Sequence, residues 1–409
     1  MTRTVWILNH YAQAPGGPGG TRHFSLARKL AQYGWQAVIV AASVEHGTGR
    51  DRLPSDVKTR LDVIDGVPFL WLKTSDYAGN GPARVRNMLD YTRRALSRSA
   101  LSSLTRPDVV IGSSVHPLAA WAGARLARRH RVPFVFEVRD LWPQTLVDMG
   151  RLKPDGITTR GLRALETGLY QKAKRIVVLL PKADDYIAGL GVSRDKVVWI
   201  PNGVDLDAAP ENAPSDEPNS EFRLLYLGAH GQANALEPVI DAMSLLETMS
   251  LPVPIALHLF GGGPQKDALI DRAKTLGIKN IAFHQAVAKS EVPALAATAN
   301  AFVLSVRDLP NLYRFGISMN KLFDYMAAGR PIIMAASAAN NPIQDAGCGI
   351  SVPPEDPSRL AEAISTLARM PHSERAEMGA AARRYVVTHH NFETLAARLA
   401  ATLDEACRP

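Results

Sequence analysis

What most constrains this chain is an alternation, met twice, between short apolar runs and amphipathic helical runs. In the first half, residues 5–8, 37–41, 109–112, 134–138 and 175–180 are dominated by Val, Ile, Leu, Ala and Phe. Such runs suit strands buried on both faces of a sheet. Between them, residues 21–33, 118–129 and 164–173 have helical spacing, and Gly34 closes the first. Strand–helix alternation predicts a parallel sheet covered on both sides. The pattern begins afresh at Phe222. Residues 207–220, rich in Pro, Asn and acids, are too polar to pack and read as an exposed connection. A chain of 409 residues is long enough for two domains. The expected class is therefore α/β, with two doubly wound parallel-sheet domains facing across a cleft. Ligands in such sheets sit beyond the carboxyl ends of the strands.

The richest stretch in chemistry runs from Arg314 to Ile333. A loop holding Gly316, Ile317 and Ser318 enters a short amphipathic helix that carries Lys321 and Asp324. The helix stops at Gly329, and Pro331 opens an apolar strand. Backbone N–H groups at a loop and helix start can hold a diphosphate. Lys321 adds a cation, and Asp324, one helical turn on, can accept two vicinal ribose hydroxyls. Arg314 stands ready as a second cation.

This stretch resembles the donor-binding signature of family 4 glycosyltransferases, which have the GT-B fold of two Rossmann-like domains. Three further segments resemble the family in order and spacing. They are Ile200-Pro201-Asn202-Gly203-Val204-Asp205, Leu224-Leu225-Tyr226-Leu227-Gly228, and His258-Leu259-Phe260-Gly261-Gly262-Gly263-Pro264. Together they span nearly the whole chain. The resemblance implies an acceptor-side domain over 1–205, joined by a crossing helix at about 385–409, and a donor-binding domain over 206–384. It implies a nucleobase beside Val287, at the end of the run Phe283-His284-Gln285-Ala286-Val287. It also implies a retaining transfer in which the departing phosphate takes the acceptor's proton. Two departures from the family stand out. The first acid of the usual Glu-x7-Glu falls on Gly316. The run after Gly228 lacks the usual arginine and lysine, so Lys321, with Arg314 or Arg307, takes their place on the diphosphate.

Other candidates lie at predicted strand ends of the first half. Gly16, Gly17, Gly19 and Gly20 precede a helix with Thr21 as N-cap. They form either a flexible loop or, as the family places it, a loop near the donor phosphates, with Gly19 and Gly20 closest. Arg22 faces either the cleft or solvent. His116, just before Pro117, resembles the family histidine that contacts the donor sugar. Glu137, Arg139 and Asp140 end the fourth strand of the first half, and burying them without partners would be expensive. They either line the cleft or form a clamp of Arg139 between the two acids. The same run, Glu137 to Pro143, resembles a branch that builds bacterial surface polysaccharides such as O-antigen and capsule, including N-acetylfucosamine transferases.

Composition narrows the partners. The net charge of +8 suits nucleic acid, an anionic membrane or anionic substrates, and no zinc finger or aromatic–basic RNA motif supports nucleic acid. Cys348 and Cys407 are too few for a disulfide framework, and the spacing of Cys and His offers no protein metal site. No apolar run approaches the roughly 18 residues of a membrane span, and the first residues read as a strand rather than a signal peptide. Residues 84–106 hold six arginines against Asp90. Val85, Met88, Leu89, Ala95 and Leu96 fall on one side and Arg86, Arg93, Arg94 and Arg98 towards the other. This is either an ordinary surface helix or a helix docking on anionic lipid. The expectation is a cytoplasmic enzyme, peripheral on the inner membrane face. It would move a sugar, of an N-acetylated amino or deoxy type, from a UDP-sugar to a lipid-linked or saccharide acceptor, with no cofactor. A UDP-sugar 2-epimerase and a non-catalytic nucleotide-sugar-binding protein are the alternatives.

Overall fold

A computed structural model describes residues 2–16, 20–77, 79, 81–206 and 221–408. The chain divides into two compact units. The first comprises Met1–Pro201, Phe315–Ile317 and Phe392–Pro409, and the second Asn202–Arg314 and Ser318–Asn391.

In the first unit the strands are β1 (Arg3–Leu8), β2 (Trp35–Ala42), β3 (Thr59–Ile64), β4 (Val67–Leu72), β5 (Val109–Ser113), β6 (Phe134–Val138), β7 (Arg175–Val178) and β8 (Val197–Trp199). They form one sheet in the order β3-β4-β2-β1-β5-β6-β7-β8. Pairing is parallel except for the β3–β4 hairpin. The central strands are buried from end to end, β1 from Thr4 to Leu8 and β5 throughout, which is why they read as unbroken apolar runs. Strand β3 stands at an edge, with Leu61 and Val63 exposed. Its polar alternation hides it from a search for apolar runs.

The sheet has a core on each face. One holds Trp6, Val110 and Phe136 against the helices Pro82–Ala95 and Pro117–His130. The other holds Val5, Ile111 and Val135 against the helices Arg22–Leu30 and Phe392–Cys407. The last helix thus belongs to the first unit although it ends the chain. It buries Phe392, Leu395, Leu399 and Leu403 there.

The second unit holds β9 (Phe222–Leu227), β10 (Ile255–Phe260), β11 (Ile281–His284), β12 (Ala301–Ser305), β13 (Ile332–Ala335) and β14 (Gly349–Val352). Their order is β11-β10-β9-β12-β13-β14, parallel throughout. Both sheets are Rossmann-like, and each reverses its strand order beside the first strand of its unit. The connection expected at 207–220 lies outside the described residues.

One expectation changes. The basic segment forms the helix Pro82–Ala95 and a short turn at Ser99–Leu101, but the helix buries Asn87, Tyr91, Thr92 and Ala95. Val85 and Leu89 are 54% and 53% exposed. The inward stripe keeps Ala95 and Leu96 but turns Val85 and Leu89 outward, because Asn87 bonds Thr74 and Ser75 and Tyr91 bonds the Val40 carbonyl.

Because the C-terminal helix completes the first unit's core, Leu403→Ala should destabilise that unit by about 2–5 kcal/mol, as large-to-small core changes do. Denaturant unfolding followed by tryptophan fluorescence reads this, since Trp6, Trp35 and Trp71 are all buried in this unit. An unchanged midpoint would mean that the helix contributes nothing to that core.

Candidate functional site

The side chains singled out from sequence fall into two groups, one in each unit. Gly19 lies outside the described residues. Gly20, His116, Glu137, Asp140, Gly316 and Ile317 belong to the first unit, and Gly228, Val287, Arg314, Ser318, Lys321 and Asp324 to the second.

In the second unit, the loops after β9, β10 and β11 and the helix Asn320–Ala327 meet at the carboxyl edge of the sheet. The loop after β9 lies close to that after β10. A side chain at Gly261 would put its Cβ 1.9 Å from the Gly228 carbonyl oxygen, so only glycine allows this approach. Lys321 reaches under Gly228. Its Nζ donates to Tyr226 Oη at 2.8 Å and Asn234 Oδ1 at 2.6 Å, and it sits 4.6 Å from the Tyr226 ring centre. Two of the three ammonium donors are thereby engaged with neutral partners. With no carboxylate to balance it, burial pushes the Lys321 pKa down to about 7. Tyr226 and Asn234 were not legible as partners from sequence. Asn234 sits in the loop after β9, which turns back on itself through its Nδ2 bond to the Ala229 carbonyl and meets the loop after β10 where the His230 N–H bonds the Gly262 carbonyl.

One helical turn on, Asp324 is mostly buried, and its Oδ2 accepts from Lys289 Nζ at 2.5 Å. Burial pushes its carboxyl up, and Lys289 works against that. Lys289 follows Val287 on the segment after β11, where Ala288 N–H is capped by Glu291. The segment expected beside the nucleobase is thus tied to the carboxylate expected at the ribose. Ser318 precedes the helix. Its Oγ accepts from the Asn202 N–H at 2.8 Å and its carbonyl from Asn202 Nδ2 at 2.6 Å. His390 Nδ1 is 3.0 Å from the Asn202 carbonyl oxygen, and its ring stacks on Phe323. Asn202 therefore fixes the loop and Phe323 the helix. Arg314 is exposed. Arg307 is not available as a diphosphate cation, because it pairs with Glu237 and Glu355 and donates to the Gln232 carbonyl.

Gly316 and Ile317 are buried in the first unit. Gly316 has φ +99°, a conformation in which a glutamate would be strained. The missing first acid is thus accompanied by a backbone that suits glycine.

In the first unit Gly20 is exposed, and Thr21 caps the next helix without a side-chain bond. Arg22 neither reaches solvent nor lines an open surface. It is 2% exposed, and its Nε donates to Glu137 Oε1 at 3.0 Å. Its two terminal nitrogens donate to the carbonyls of Ile200 and Pro201. His23 Nε2 meets Glu137 Oε2 at 2.6 Å. Burial pushes the Glu137 carboxyl up, but His23 and Arg22 more than reverse this and hold it well below the usual range. The clamp on Glu137 is therefore Arg22 with His23, not Arg139. Asp140 is exposed just past β6, where its carbonyl accepts from the Trp142 N–H and its carboxylate makes no hydrogen bond among the described residues.

His116 caps the helix Pro117–His130, its Nδ1 accepting from the Ala119 N–H at 3.3 Å. That leaves the proton on Nε2, which donates to His10 Nδ1 at 2.6 Å. Both nitrogens face inward and the residue is 2% exposed. Burial, with Arg84 adding to it, lowers the His116 pKa to about 3. Burial and His116 itself lower that of His10. The geometry is that of a neutral, packed pair. In the unfolded chain each would titrate near the ordinary 6.5. Their contribution to stability is thus intact above about pH 6.5 and is lost as pH falls from there towards about 3. His10→Gln with His116→Asn should flatten part of that acid-side loss when melting temperature is followed between those limits. An unchanged slope would remove the pair as its source.

Comparison with known proteins agrees with this division. Residues 18–203 match the model of a glycosyl transferase 4-like domain, and residues 221–370 that of glycosyl transferases group 1. A GDP-mannose-dependent alpha-(1-6)-phosphatidylinositol monomannoside mannosyltransferase of Mycobacterium tuberculosis is 29% identical over 229 residues, covering 51% of this chain and 57% of that protein. The match thus spans little more than half the length of that relative. Among solved structures, sucrose-phosphate synthase from Thermosynechococcus elongatus has a TM-score of 0.72 at 17% identity, covering 97% of each chain. HepE of Anabaena, solved with UDP and glucose, has a TM-score of 0.67 at 13% identity, covering 98% of this chain and 99% of that one. The chain is a GT-B-fold member of the glycosyltransferase superfamily, a 4-like domain followed by a group 1 domain.

Proposed function

We propose that this protein is a retaining glycosyltransferase that moves a sugar from a UDP-sugar to a lipid-linked or saccharide acceptor. An N-acetylated amino or deoxy sugar and surface-polysaccharide synthesis fit the resemblance of Glu137 to Pro143. The observation that carries the reading is the pairing of Lys321 and Asp324 on successive turns of one helix, against a loop at Gly228 that only backbone can approach. The cation and the loop N–H group at Ser318 would hold the diphosphate, with Arg314 beside them. Asp324 would take the ribose hydroxyls, and backbone at Val287 the base. Charge on the departing diphosphate is then met by Lys321, and the phosphate accepts the acceptor's proton. This route uses no carboxylate nucleophile. The exposed Asp140 is the first-unit group open to an acceptor, whereas His116 and Glu137 would act by holding the strand ends in place. That HepE was solved with UDP supports a uridine nucleotide. The GDP-mannose-dependent relative makes GDP the competing choice.

Calorimetry with UDP and GDP, followed by transfer from radiolabelled UDP-sugars to a membrane extract, tests the reading. UDP should bind the wild type, and Asp324→Ala should weaken it by roughly 1–3 kcal/mol, the worth of charged hydrogen bonds. Lys321 is protonated below its pKa of about 7, so UDP affinity should fall as pH rises through that value. Lys321→Met should abolish the dependence. Binding of GDP in place of UDP would overturn the nucleotide assignment, and nucleotide binding with no transfer would favour the non-catalytic alternative.

A second observation favours docking on a membrane. Among the described residues no helix is long and apolar enough to cross one. The helix Pro82–Ala95 instead exposes Val85 and Leu89, one turn apart, among Arg86 and Arg93. That is the arrangement of a helix lying on an anionic surface. Charge reversal at Arg86, Arg93, Arg94 and Arg98 should release the protein from anionic vesicles, each basic residue contributing on the order of 1 kcal/mol. A wild type that ignores such vesicles at low salt would leave these residues as a solvated face.

A further inference from the structure

A groove of about 680 Å³ opens in the first unit at the amino-terminal edge of its sheet, at the opposite strand ends from His116 and Asp140. It lies where β6 and β7 begin and where the helices Pro117–His130, Ile157–Lys172 and Phe392–Cys407 end. Its floor is apolar, made by Ala124, Ala127, Pro133, Phe134 and Ala173. Around it stand Arg128, Lys172, Lys174, Lys196 and Arg408, with no carboxylate among the lining residues.

Cations are favoured at helix carboxyl ends. Three such ends at roughly half a negative charge each, however, offset fewer than two of the five. Neighbouring acids are engaged elsewhere, Asp404 with Arg3 and Trp35, Glu405 with Arg175, and Asp108 with the Thr4 N–H. Lys196 donates to the Gln171 carbonyl. The side chains of Arg128, Lys172, Lys174 and Arg408 make no hydrogen bond or ion pair among the described residues. An apolar floor of ligand size under an unbalanced basic rim is complementary to an amphiphile with an anionic head. The groove also adjoins the basic segment, since Arg129 bonds the Leu96 carbonyl and Arg106 the His130 carbonyl.

We propose that this groove binds the phosphate head and adjoining methylenes of a membrane lipid, so that the protein holds an individual lipid molecule in addition to resting on charge. The site lies apart from the nucleotide machinery and does not depend on the transferase reading. Cys407 lines the groove and is partly accessible, whereas Cys348 is buried, so the rate of Cys407 alkylation by iodoacetamide, read by peptide mass spectrometry, reports occupancy. Decyl phosphate, kept monomeric, should slow that alkylation about fivefold at roughly four times its dissociation constant. Lys172→Glu with Lys174→Glu, both exposed positions, should raise the required concentration about tenfold or more without changing the melting temperature. Arg128→Glu alone should give a smaller shift in the same direction. No protection by decyl phosphate would overturn the proposal. Equal protection by decyl maltoside would reduce the groove to an apolar patch, and equal protection by inorganic phosphate to a simple anion site. Either result, or protection unchanged in the lysine variants, would overturn it as well.

Discussion

The first unit depends on the buried pair of Arg22 and Glu137. Each is nearly sealed from water, and removing either would strand an uncompensated charge in the interior. Arg22 starts the helix after β1, Glu137 lies in β6, and the carbonyls that Arg22 binds belong to Ile200 and Pro201, just past β8. One guanidinium thus ties together three separate places at the carboxyl edge of the sheet. His23 fills the remaining carboxylate oxygen and takes a bond from Asn9, extending the network to β1. Around Glu137 these side chains satisfy one another, so the ends of β1, β6 and β8 are held in place before any ligand arrives.

The second unit solves the same problem by the opposite means. Glycine lets the loops after β9 and β10 approach until backbone touches backbone. Into that space comes a lysine with neutral partners only. A buried ammonium without a counter-charge is costly, and its lowered pKa of about 7 expresses that cost. A diphosphate would supply the missing charge. The Lys289–Asp324 contact is the complementary case, an acid paired with a partly exposed cation that a ribose diol could share or displace. The first unit thus compensates the charge of Glu137 in place, whereas the second leaves Lys321 without a counter-charge.

Much of this was legible in the chain itself. Alternating apolar and helical runs announced two parallel sheets because central strands, buried on both faces, must be apolar throughout. Strand β3 escaped because edge strands alternate and blend with loops, whereas β4, Val67–Leu72, is an apolar buried run that the sequence reading passed over. In the stretch from Arg314 to Ile333 a helix carrying a cation and an acid could be read because loop, Lys321 and Asp324 are close in sequence. By contrast, the sequence left Arg22 facing either the cleft or solvent, and Glu137 either lining the cleft or clamped by its neighbour Arg139, whereas the two are buried against each other. Sequence spacing favours local partners, and burial chose a distant one.

The sequence by itself therefore determined the layer architecture, the order of the elements and the residue types at the strand ends, since these follow from periodicity and local chemistry. Only the tertiary structure decided which charges are satisfied and which are left in want. It turned His116 inward onto His10, took Arg307 out of the site through Glu237 and Glu355, and seated Lys321 on Tyr226 and Asn234. Each of these outcomes depends on groups remote in the chain, and the energy of a charge depends on what surrounds it in space.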